Sequence, residues 1–144
     1  MLTTFSAYGG VLVWSFLAAT VLPLGSEAAL AALVVSERRI LLPVLVATIG
    51  NYLGACTTYW LGRRAAKAFG GGEPGTPPDS RAARLLRRYG QAALLLSWVP
   101  IIGDALVALA GATRLHFGAF SFFVALGKAA RYLFVAWAAF SLTR

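Results

Sequence analysis

Hydrophobic residues make up 59% of the 144 and charged residues only 12%. The polar side chains of a water-soluble fold could not easily cover so much apolar surface, so the chain reads as an integral membrane protein in one domain. A net charge of +8 would suit nucleic acid, but most of it falls in one loop between apolar spans, without zinc-finger spacing or an aromatic-rich RNA motif, which argues against that partner.

The N-terminal stretch from Met1 to Leu24 is apolar and has no Lys or Arg ahead of its hydrophobic part, so it is not read as a cleaved signal peptide. Phe5 to Leu22 has the composition of a helix, Pro23-Leu24-Gly25 breaks it, and Ser26 can cap a new short helix to about Val35. A second arm from Ser26 to Ser36 rises only about 16 Å, too little for a hydrocarbon core of about 30 Å. The two arms are therefore expected to form a re-entrant hairpin, with Glu27 just beyond its break.

Glu37-Arg38-Arg39 is expected as a solvated turn at headgroup level, followed by a full span from Ile40 to Gly62. Within that span Gly50 and Gly54, four residues apart, suit the close approach of another backbone, and Asn51 between them is a candidate lining residue. Cys56 is the one cysteine, which leaves neither a disulfide framework nor a cysteine-based metal site; it reads as a small packing residue.

Residues 63–88 differ in kind. Arg63, Arg64, Lys67, Arg81, Arg84, Arg87 and Arg88 against Glu73 and Asp79 leave a net charge of +5, around a Gly/Pro-rich centre that reads as a flexible linker. Asp79 or Ser80 can cap an amphipathic helix through Tyr89, whose arginines share one side and suit the membrane surface. The positive-inside rule makes this linker cytoplasmic, with anionic lipid as a neighbour.

A second break follows at Pro100, with Gly103 behind it, and Asp104 lies four residues after the proline in otherwise apolar sequence. A proline removes a backbone donor and disfavours helix in the residue before it, and such a break at membrane depth is tolerated only where it lines a cavity or packs on protein. Gln91 to Val99 and Asp104 to Ala112 form the arms of a second hairpin. Thr113 to His116 returns to the linker side, and Phe117 to Leu142 is the second full span; His116 reads as a surface residue.

The second hairpin repeats the first. An offset of 77 residues pairs Pro23 with Pro100, Glu27 with Asp104, Ala28 with Ala105, Gly50 with Gly127 and Trp60 with Trp137, and it sets Asn51 opposite Lys128 and Gly54 opposite Arg131. Each half holds a hairpin that returns to its own side and one span that changes sides. The reading is thus an all-α membrane fold of two inverted repeats, about 5–62 and 89–142, joined by the basic linker 63–88, which is a transporter architecture.

Buried acids in such a place serve function more often than structure, which makes Glu27 and Asp104 candidate proton-coupling groups. Lys128 and Arg131, three apart near the middle of the last span, need anionic company: either the two acids in a structural ion network, or an anionic substrate group held with the half-helix N-termini. No Ser/His/Asp set, metal-ligand spacing or phosphate loop appears, so an enzyme, a metal and a cofactor are not expected.

Three passages resemble the DedA family, also called the VTT or SNARE-associated membrane-protein domain, and its short YqaA-like branch. They are Leu22-Pro23-Leu24-Gly25-Ser26-Glu27, then Trp98-Val99-Pro100-Ile101-Ile102-Gly103-Asp104 through Ala110-Gly111-Ala112-Thr113-Arg114, and Phe120 through Gly127-Lys128-Ala129-Ala130-Arg131-Tyr132. The resemblance implies two opposed re-entrant hairpins in a bacterial inner membrane and a part in moving lipids, polyprenyl phosphate among them, coupled to protons. It also carries the acidic hairpin position onto Glu27. Better-studied members have arginines flanking the second proline where this chain has Ser97 and Gly103, so Lys128 and Arg131 are the expected source of the missing charge.

The function expected is that of a small, proton-coupled transporter or lipid flippase for an anionic substrate. The rival is a non-transporting scaffold or envelope-homeostasis protein whose buried charges are structural. So short a chain is expected to work as a homodimer if it is to enclose a headgroup path.

Overall fold

A computed structural model describes residues 2–20, 26–68, 80–99 and 101–142. Every regular element among them is helical: α1 (Leu2–Ala18), α2 (Ser26–Glu37), α3 (Leu41–Ala68), α4 (Arg81–Tyr89), a tighter 3₁₀ helix (Gly90–Trp98), α5 (Ile102–Ala112) and α6 (Phe117–Leu142). Pro23, Gly25 and Pro100, expected as hairpin breaks, lie outside the described residues, as does the linker centre.

Helices α3 and α6, at 28 and 26 residues, are long and apolar enough to cross a membrane. Helix α3 runs past Gly62, its expected end, because Arg63 to Ala68 are good helix formers and no strong breaker intervenes. Pro43 is tolerated near its start, where a missing N–H forfeits no intrahelical bond. The stretch after Gly90 is wound as 3₁₀ rather than α-helix and ends on Val99 in extended backbone (φ −76°, ψ 124°), the conformation favoured before proline. Helix α5 starts two residues ahead of Asp104, so Gly103 sits in its first turn.

The chain forms two compact units, divided within α3 after Gly54 and within α6 before Lys128. In the first, α1 packs along the front half of α3. A side chain on Gly50 would strike the Leu12 carbonyl and one on Gly54 would strike Phe16, so these glycines admit a backbone as the sequence suggests. Val11, Leu30, Leu33, Val34, Val44, Ala47, Tyr132 and Ala136 make the core of this unit, drawing on α1, α2, the front of α3 and the rear of α6. The Glu37 turn is not simply solvated, for the Tyr8 hydroxyl donates to the Glu37 carboxylate.

The second unit is Ala55–Gly127. Here the rear of α3 receives α5: Gly111 faces the Tyr59 carbonyl and Gly62 faces the Ala108 carbonyl. Tyr59, fully buried, stacks on Phe120 at 4.5 Å between ring centroids and donates its hydroxyl to the Leu115 carbonyl at 2.6 Å. The front of α6 meets the 3₁₀ helix, where Gly127 faces the Leu95 carbonyl and the Ser97 hydroxyl. Ser80, one of the two expected caps, accepts the Ala83 N–H at the start of α4, and Asp79 lies outside the described residues.

Candidate functional site

Helix geometry puts Lys128, Arg131 and Tyr132, at spacings of three and four, on one face of α6. That face meets two other elements of the first unit. Ser26 and Glu27 open the first turn of α2, where the helix dipole favours a negative side chain, and Asn51 projects from α3, one residue after the glycine that lets α1 close in.

A chain of hydrogen bonds links these residues. The Lys128 ammonium donates to Asn51 Oδ1, Asn51 Nδ2 donates to the Tyr132 hydroxyl at 2.7 Å, and that hydroxyl donates to Ser26 Oγ at 2.9 Å. All four side chains belong to buried residues, with Lys128 only 5% exposed, so each bond answers a polar group that would otherwise be costly away from water. Every donor points the same way, from the lysine toward the N-terminus of α2.

Alongside runs an ion pair between Arg131 and Glu27. Its side chains retain 24% and 31% of their exposure respectively, so this pair is accessible where the lysine is not. The site therefore sets an accessible pair of opposite charges beside an enclosed cation, three elements contributing to it.

The structure brings together Glu27, Arg131, Lys128 and Asn51 of the residues singled out by sequence. Asn51 is a buried hydrogen-bonded link. Asp104, half-buried in the first turn of α5, belongs to the second unit. Gly103 lets the Ser97 backbone come close, and Ser97 itself is buried, its hydroxyl without a hydrogen-bond partner among the described residues. Two participants escape a reading for charges and breaks: Tyr132, a phenol one turn after Lys128, and Ser26, which looks like a helix cap alone. The signal for Tyr132 is that a tyrosine on a buried face must find a partner for its hydroxyl.

Comparison with known proteins decides the family. Residues 24–140 match the VTT domain. The chain belongs to the VTT-domain, or DedA, family. It is 43% identical over 129 residues to the inner membrane protein YqaA of Escherichia coli K12, a match covering 85% of this chain and 83% of that protein, and it matches the Shigella flexneri protein of the same name equally well. A Haemophilus influenzae protein described as uncharacterized is 44% identical over 127 residues, covering 83% of this chain and 78% of its own. No solved structure matches the chain.

The VTT match takes in every residue of the polar cluster, from Ser26 to Tyr132. With two helices of membrane-crossing length and an apolar composition, this is a helical membrane protein of the VTT family.

Proposed function

We propose that this VTT protein is a small proton-coupled transporter or lipid flippase that moves an anionic substrate, polyprenyl phosphate being the first candidate, across the bacterial inner membrane without enzymatic chemistry. The observation that carries the reading is the accessible Glu27–Arg131 pair set beside the buried Lys128. A carboxylate and a guanidinium in contact hold each other at rest. Protonation of Glu27 weakens that hold and frees Arg131 for an anionic headgroup, and departure of the headgroup restores the pair. The membrane context agrees, since intramembrane charges pair with one another or mark a substrate path.

Three structural parallels support the inverted repeat on which alternate access would run. Gly50 and Gly127, equivalent by the sequence offset, each admit the backbone of the arm that precedes the break, Leu12 in one case and Leu95 in the other. Asn51 and Lys128, also equivalent by that offset, bond to each other. Each compact unit likewise combines one hairpin with the front of its own span and the rear of the other. On this reading Pro23 and Pro100 mark the tips of two re-entrant hairpins, Asp104 is the second unit's counterpart of Glu27, the basic linker is cytoplasmic, and a homodimer completes the headgroup path.

The test is uptake of labelled polyprenyl phosphate by proteoliposomes holding the full chain under an imposed pH gradient. Movement that collapses when an ionophore dissipates the gradient is the result expected. Absence of movement by folded protein removes this substrate, and absence with other lipid and small anions removes the transport reading.

The scaffold reading draws on a different observation, the buried chain from Lys128 to Ser26 that ties α2, α3 and α6 together. If the charges serve only to pin these helices, Glu27→Gln will lower expression and detergent stability, since Arg131 on α6 loses the carboxylate that ties it to α2. A transporter so altered stays folded and inserted and loses transport.

A further inference from the structure

Helix α4 carries Arg81, Arg84, Arg87 and Arg88, all exposed, and no acid. At about 3.6 residues per turn these four arginines fall within an arc of about 120°, opposite the strip of Ala82, Ala83 and Leu86 that is buried. That inner strip packs where α4 meets the 3₁₀ helix and α5, so the arginine face lies on the side opposite those two elements. The corresponding stretch of the first repeat, 77 residues earlier, offers the uncharged Thr4, Ala7, Gly10 and Val11 at these positions.

Two further contacts in the same unit mark the depth. The Arg63 guanidinium lies over the Trp60 ring at 5.3 Å, and that of Arg88 over the Tyr89 ring at 5.4 Å. Trp60 and Tyr89 are both about half exposed, and exposed Trp and Tyr flanking a span settle at the level of lipid headgroups. Arg63 and Arg88 are thus held in the last two turns of α3 and the last turn of α4, beside rings suited to that layer.

We propose that the outer face of α4 docks on anionic phospholipid headgroups of the leaflet on the linker side, four guanidiniums gathering phosphates as the fork geometry of arginine allows. The Gly90 turn (φ 56°) then lets the chain leave this docked helix and enter the second hairpin at a different angle. This docking stands apart from the transport reading, because it needs neither Glu27 nor Arg131.

Hydrogen–deuterium exchange over residues 81–89 of the full chain tests it, in nanodiscs of pure phosphatidylcholine and in discs containing phosphatidylglycerol. Exchange about fivefold or more slower in the anionic discs is expected, with the gain lost at high salt. Replacing the four arginines together by Gln, which keeps the helix and its buried strip, should abolish the gain, and replacing them by Lys should keep part of it. Unaltered exchange within α3 and α6 shows that the variants remain folded. Equal exchange in the two lipids, or slowing that survives the Gln replacement, overturns the proposal. Slowing that needs an added acidic peptide and ignores anionic lipid also overturns it and gives the face to a soluble partner.

Discussion

The Tyr132 hydroxyl is donor to Ser26 and acceptor from Asn51 at once, so a single oxygen holds two elements to α6. Tyr132→Phe strips both bonds and leaves the Asn51 amide and the Ser26 hydroxyl in apolar surroundings. A loss of about 1–3 kcal/mol is expected from a buried polar group left unmet, read as a lower unfolding midpoint in detergent; an unchanged midpoint would mean that the chain is slack. Glu27, Lys128 and Arg131 could be found from sequence because a charge in an apolar run is conspicuous. Tyr132 could not, because tyrosines are ordinary in membrane helices and only its neighbours make this one polar on a buried face.

Among the elements, α3 and its glycines give the sharpest contrast. A methyl group on Gly50 would strike the Leu12 carbonyl, whereas one on Gly10 meets nothing within 4 Å. Gly50→Ala is therefore expected to destabilise by about 1–3 kcal/mol through forced separation of α1 from α3. Gly10→Ala, in a helix interior, should stabilise by up to about 1 kcal/mol. Thermal unfolding of the two variants side by side in detergent checks both signs, and a loss of similar size in both would show that α1 is not seated on Gly50. The spacing of Gly50 and Gly54 announces this packing in the sequence. The 3₁₀ winding of Gly90–Trp98 has no such local sign, since Ala92 to Leu96 are good α-helix formers. Gly127 and Gly103 bring backbone against Leu95 and Ser97 there, and tertiary packing of that kind overrides local preference. Helix α3 extends past Gly62 for a simpler reason, that one glycine is too weak a breaker ahead of six helix formers.

At the scale of the whole molecule, composition conveys the membrane class, and the 77-residue offset of the sequence sets opposite each other two residues, Asn51 and Lys128, that bond in the fold. If those two residues are interchangeable members of one pair, the exchange Asn51→Lys with Lys128→Asn keeps the donor and acceptor and should retain most of the detergent stability, while Asn51→Lys alone sets two cations together and should cost far more. Similar losses in both would deny the pair its symmetry. In the proposed transport cycle the Glu27–Arg131 pair works rather than merely holds. Its most direct test is the initial rate of pH-gradient-driven polyprenyl-phosphate transport in proteoliposomes, compared between wild type and Glu27→Gln, Arg131→Gln and Asp104→Asn at matched protein content and matched unfolding midpoints. Transport by wild type and its loss in all three folded variants is the result predicted; transport that persists in folded Glu27→Gln or Arg131→Gln would contradict it.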